Sequence, residues 1–136
     1  MSALLVAMLA TLAQEPEALV RQAVEDYVVG QYEADPARVS RVLHPDLAKR
    51  GLPDAEAIDR ELFPVRRMTS DELIDSARRG DLRTPPDQQT MTVRILDLTD
   101  RTAVVRVDTP WFTDQLQLAR FRERWLVVNA LWTSPQ

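Results

Sequence analysis

The stretch TMTVRILDLTDRTAVVRVDTPWFTDQLQLARFRERWLVVNALW, residues 90–132, decides the fold of this chain. Within it Thr102–Thr109 alternates: Ala103, Val105 and Val107 fall on one face, and Thr102, Arg106 and Asp108, with Val104, on the other. A period of two is the mark of a strand with one buried face. Thr90–Leu98 alternates around Met91, Val93 and Ile95, and Thr99-Asp100-Arg101 turns the chain between the two runs. Pro110 breaks the second run. Trp111–Arg122 then predicts a long strand and Arg122-Glu123-Arg124 a turn. Trp125–Trp132 closes the series, apolar on both sides except at Asn129 and so expected to be covered on both faces. Trp125 and Trp132 stand seven positions apart, and an unbroken period of two points them to opposite faces.

Upstream the period changes. Leu19, Val20, Ala23, Val24, Tyr27 and Val28 form one stripe of a helix over Glu15–Glu33, with Pro16 in its first turn where a missing N–H costs nothing. Gly30 weakens that helix by about 1 kcal/mol against Ala, which implies close approach by another element. Asp35-Pro36 starts a second helix with Val39, Val42 and Leu43 turned inward, and His44-Pro45-Asp46 stops it. Leu47–Leu52 and Leu62–Met68 read as the two strands of a hairpin, connected from Pro53-Asp54, with Pro64 marking an edge strand. Thr69 and Glu72 have capping-box spacing; Leu73, Ile74 and Ala77 give the third helix its apolar side, and Gly80 ends it. Asp81–Gln89 holds Pro85-Pro86 and reads as a loop. Helices first and strands after give an α+β fold, the N-terminal helices packed on one face of a curved antiparallel sheet. The stripe from Leu19 to Val28 is expected against Ala103, Val105 and Val107.

Composition bounds the chemistry. The chain has 136 residues, 45% hydrophobic and 28% charged, enough for one soluble domain with one core. Zero Cys excludes disulfides and thiolate chemistry, and a single His excludes multi-His metal sites, so neither a metal nor a cofactor is expected. A net charge of −4 argues against a nucleic-acid partner. The basic residues are sixteen Arg and one Lys. No apolar run reaches about 18 residues, so no integral membrane segment is expected. Residues 1–13 have two readings, a secretory signal cut after Ala13 or the apolar start of a cytoplasmic helix. Export and cytoplasmic residence therefore both stay open, and residues 14–136 form the single domain.

Three stretches carry a resemblance. AVEDYVVGQYEADPARVSRVLHPDLAKRG (Ala23–Gly51), MTSDELIDSARRG (Met68–Gly80) and WFTDQLQLARFRERWLVVNALW (Trp111–Trp132) together resemble the putative lumazine-binding family of the nuclear-transport-factor-2-like, or cystatin-like cone, superfamily. The resemblance implies three helices wrapping a strongly bent sheet, a central pocket between them, and homodimers through the outer sheet face. Related proteins include ketosteroid isomerases, dehydratases and polyketide cyclases as well as non-catalytic modules, so fold alone does not choose.

The residues give candidates for that pocket. Asp114 shares the inward face of its strand with Phe112, Leu116 and Leu118, where a carboxylate could act as general base; the bland alternative is a solvated carboxylate after Pro110. Tyr27 lies on the inner stripe as a hydroxyl donor, and Asn129 is an amide that orients a neighbour or anchors a strand. Arg66 and Arg67 alternate, so at most one of them can point inward, and solvation at the surface is the default for both. Trp111, Trp125 and Trp132 offer rings for a planar ligand, and His44 in His-Pro-Asp reads as a turn or cap. The binding set is thus Tyr27, Arg66, Trp111, Asp114, Asn129 and Trp132. The favoured function is a non-catalytic module for a small apolar or planar ligand, or a scaffold. The alternatives are an isomerase, dehydratase or cyclase using Asp114 and Tyr27, and a dimerisation module whose cavity is filled. Convergence of two among Asp114, Tyr27 and His44 on one cavity, with a perturbed pKa, points to the enzyme, and their divergence to binding or scaffolding.

Overall fold

The computed structural model describes residues 15–52 and 62–135. Both the apolar start at 1–13 and the Pro53-Asp54 connection lie outside the described residues. The order is α1 (Pro16–Tyr32), α2 (Pro36–Ser40), β1 (Leu43–Leu52), β2 (Arg66–Met68), α3 (Ser70–Arg79), β3 (Thr92–Leu98), β4 (Thr102–Asp108), β5 (Thr113–Phe121) and β6 (Arg124–Thr133), with a 3-10 turn at Pro86–Gln88.

Local chemistry starts and stops the helices where the sequence implies. The Asp35 carboxylate caps α2 by accepting from Arg38 N at 3.1 Å. Thr69 Oγ1 caps α3 by accepting from Glu72 N at 3.2 Å, and Gly80 ends it at φ 73°. Such caps are worth about 1 kcal/mol each. Gly30 has the close approach its position implies: a Cβ there would lie 2.6 Å from Val39 Cγ2, so only glycine lets α2 fold back on α1. The second helix is shorter than expected. His44, Pro45 and Asp46 belong to β1, which is set going by pairing of Leu43 with β6.

One six-stranded sheet runs β2-β1-β6-β5-β4-β3. The hairpin of β1 and β2 forms as expected, with Pro64 just ahead of a three-residue edge strand. Neighbours pair antiparallel except β1 and β6, which pair parallel, so the sheet is mixed. Bulges interrupt β1, β3 and β6, and each bends its strand. The helices cover one face. Val20, Val24, Tyr27 and Val28 join Ala103, Val105, Val107, Leu116, Leu118 and Val127 in one buried cluster.

The β6 bulge corrects the reading of the tryptophans. Gln117 pairs with Asn129 and Leu118 with Val127, which leaves Val128 unpaired. One extra residue resets the alternation, so Trp125 and Trp132 both fall on the inward face. Within this single chain the outer side of the strand is only partly covered: Asn129 and Leu131 face outward and are exposed.

Candidate functional site

The buried part of the sheet's inner face is apolar, among the described residues, except at one place. In-register pairing aligns Arg66, Gly51, Trp132, Asp114, Val107 and Val93 across all six strands. The next inward row is Met68, Lys49, Ala130, Leu116, Val105 and Ile95. Asp114 and Lys49 therefore sit diagonally across β6, and Tyr27 reaches them from α1.

These three side chains form a closed set. Tyr27 donates its hydroxyl proton to Asp114 Oδ2 at 2.9 Å. Lys49 Nζ donates to Tyr27 Oη at 2.6 Å and to Asp114 Oδ2 at 3.2 Å. Asp114 and Tyr27 are 0% exposed and Lys49 is 7% exposed. The Lys49 ammonium also lies 5.1 Å from the Tyr27 ring centre and 5.5 Å from that of Phe112, within cation–π range. Burial, and next the neighbouring Asp114 carboxylate, hold the Tyr27 hydroxyl well above the usual tyrosine range. The phenol is thus neutral, a donor to the carboxylate and an acceptor from the ammonium. Burying this charge pair is costly, and its hydrogen bonds offset the loss of water. The offset is incomplete: Asp114 Oδ1 is buried and has no hydrogen-bond partner among the described residues.

The alternation of β5 turns Asp114 inward and buries it fully, which overturns the solvated reading. Tyr27 meets Asp114 through its hydroxyl, whereas His44 does not. Trp132 pairs with Asp114 on the inner face, and its ring lies over Gly51, where a Cβ would come within 2.0 Å of it. Arg66 ends the same row at the sheet edge and is exposed. Two candidates lie elsewhere. Asn129 is on the outer face, where its Nδ2 donates to Gln117 Oε1 at 3.0 Å. Trp111 is 47% exposed, its indole N–H donating to Thr84 Oγ1 at 2.9 Å. His44 lies in β1, not in a turn or cap: its Nδ1 accepts from Asp46 N at 3.0 Å, and the ring packs 5.0 Å from that of Phe121.

Sequence reading missed Lys49. The signal was there, a lone lysine against sixteen arginines and an inward phase shared with Leu47 and Gly51. Its compact ammonium on a flexible stem reaches the phenol oxygen and one carboxylate oxygen at once. Among the described residues no group of three or more His, Cys, Asp or Glu could hold a metal ion. No helix among them is long and apolar enough to cross a membrane.

The family model described as putative lumazine-binding matches residues 15–133, which spans α1 through β6. The chain belongs to this family. No curated protein matches it. Solved structures with the same fold include an NTF-2-like protein of unknown function from Silicibacter pomeroyi DSS-3 (TM-score 0.69, 17% identity, covering 85% of this chain and 92% of that one). Another is an NTF2-like protein of unknown function from Shewanella baltica OS155 (TM-score 0.64, 20% identity, 90% and 94%). A third is a ketosteroid isomerase-like protein from Erwinia carotovora atroseptica SCRI1043 (TM-score 0.56, 15% identity, 89% and 97%). At these identities the likeness is one of fold. Family member and fold relatives together describe an α+β chain with helices on a bent sheet.

Proposed function

We propose that this member of the putative lumazine-binding family is a small-molecule-binding module, in which the Tyr27–Lys49–Asp114 set anchors the polar edge of the ligand. The observation that carries the reading is Asp114 Oδ1, a buried carboxylate oxygen left without a partner while Lys49 and Tyr27 both occupy Oδ2. A buried acceptor of that kind gains most from a ligand N–H or O–H. The ring of Trp132, next to Asp114 in the ladder, suits a planar or apolar body. Arg66 lies at the open end of the same row.

A second reading, acid–base catalysis with Asp114 as base and Tyr27 as donor, is favoured by their convergence and by the neutral phenol. Against it, Lys49 already balances the carboxylate charge. Homodimerisation through the outer sheet face, which the resemblance implies, would bury Leu131, exposed on that face.

Native mass spectrometry of protein purified from its own host tests the binding reading. The expected result is a retained small molecule in the wild type, lost in Asp114→Ala and weakened in Asp114→Asn, whose fold is checked by circular dichroism. A folded wild type without a retained molecule, whose melting temperature no planar N–H compound raises, overturns it.

A further inference from the structure

Lys49 is the single lysine of the chain against sixteen arginines, and it is 7% exposed. Charge balance for Asp114 does not call for a lysine, since arginine is the usual choice in buried ion pairs. What an ammonium offers beyond its charge is a nitrogen that becomes a nucleophilic amine on losing one proton. The surroundings of Lys49 supply what that chemistry needs. Among the described residues Nζ donates to Tyr27 Oη at 2.6 Å and to Asp114 Oδ2 at 3.2 Å, so one of its three N–H groups has no partner among them. Asp114 Oδ1 is a second unused group, buried and without a hydrogen bond among the described residues. A pocket of about 220 Å³ opens between β1, β2 and α3, with Leu47, Lys49, Met68, Thr69 and Glu72 in its wall.

We propose that Lys49 captures a small aldehyde or ketone as a reversible imine, an inference that rests on the binding reading of the same site and names its ligand class. The step balances within the three side chains. Asp114 Oδ2 takes one proton from the Lys49 ammonium. The freed amine adds to the carbonyl carbon and forms the C–N bond, while Tyr27 relays a proton from that nitrogen to the carbonyl oxygen and ends neutral. The new hydroxyl donates to Asp114 Oδ1. Asp114 then returns its proton to that hydroxyl, the C–O bond breaks and water leaves. The net change is ammonium plus carbonyl to iminium plus water, with nothing oxidised or reduced.

Charge decides the class of ligand. The iminium keeps the positive charge on Lys49 Nζ, so the buried Asp114 carboxylate is balanced before and after capture. Acylation by an ester or thioester turns the amine into a neutral amide and strands that carboxylate, the costly outcome for a buried ion. A free carboxylate or phosphate finds the Lys49 charge already answered by Asp114. The rings of Tyr27 and Phe112, with centres 5.1 and 5.5 Å from Nζ, favour a cation at that point and shield it from water.

The test is reductive trapping of the full chain with benzaldehyde and sodium cyanoborohydride at neutral pH, followed by peptide mapping in a mass spectrometer. Only Lys49 and the α-amino group offer a primary amine, and the map tells them apart. The expected result is a benzyl group on Lys49, added in the folded protein at least about tenfold faster than on the same lysine in the chain unfolded by guanidinium chloride. A lysine that serves the fold alone is shielded and reacts more slowly folded than unfolded. Tyr27→Phe and Asp114→Asn are each expected to slow the labelling at least about tenfold. Circular dichroism checks both folds, and Tyr27→Phe decides alone if Asp114→Asn does not fold. Slower labelling in the folded wild type than in the unfolded chain, or an unchanged rate in the folded variants, overturns the proposal. A wild type that retains a molecule in native mass spectrometry yet gains no benzyl group on Lys49 overturns imine capture and leaves the binding reading standing. One that also fails the native mass spectrometry and melting tests overturns both.

Discussion

Lys49 and Arg50 are neighbours in β1 with the same formal charge, and they live in opposite surroundings. Lys49 is 7% exposed and bonded to Tyr27 and Asp114, whereas Arg50 is exposed on the outer face beside Arg67. The pleat alone separates them. Inside, a cation without a carboxylate would be prohibitively costly, so its neighbours are chosen for it. Outside, water and salt screen the charges, and even an Arg–Arg neighbour is tolerated. The same alternation that hides one charge displays the next.

The largest expected effect breaks the inner side of this comparison. Asp114→Ala leaves the Lys49 ammonium buried without its counter-charge and is expected to cost about 3–5 kcal/mol in urea denaturation. The double variant Lys49→Met with Asp114→Leu removes both charges and is expected to recover most of that loss. Failure to recover it would mean that the pair is held for shape and not for charge balance. Gly51→Ala comes next. Its Cβ would meet the Trp132 ring at 2.0 Å, and the overpacking is expected to cost about 1–3 kcal/mol, read from the same curves.

Alkaline pH sharpens the inner side further. The hydroxyl of Tyr27 is held above its ordinary value of 10.0 in the fold, so the unfolded chain loses that proton first. Stability from this group is complete below about pH 10 and falls as pH rises toward the folded value, by up to about 1.4 kcal/mol per pH unit. Tyr27→Phe is expected to be less stable at neutral pH and to lack that part of the alkaline decline in thermal melts across pH 8–11. A parallel decline in both proteins would count against a neutral, buried phenol. The smallest effect lies outside. Arg94→Gln removes a like-charge neighbour from Arg106 and is expected to raise stability by a few tenths of a kcal/mol at low salt. The gain should vanish at high salt.

Much of this architecture was legible in the residues because it rests on local rules. Caps at Asp35 and Thr69, the stripe of α1, the alternation of β4, and the glycine that admits Val39 all follow from spacing along a few turns or residues. Asp114 belongs with them: its inward phase follows from Phe112, Leu116 and Leu118. Asn129 entered the binding set as the one polar residue of an apolar strand, but it faces outward; the reading of Trp125 and Trp132 failed because a single unpaired residue, Val128, shifts the phase of half a strand, and nothing in the run marks which residue is skipped.

By itself, then, the sequence determined the elements, their capped ends and the inward face of β5, since these depend on short-range sterics and on periods of two and 3.6. Tertiary structure alone decided that β1 runs parallel to β6, that Trp125 and Trp132 share a face, and that Lys49 meets Tyr27 and Asp114. Those three outcomes are matters of register between segments far apart in the chain. Register is chosen by the summed burial of whole faces, and no local pattern contains that sum.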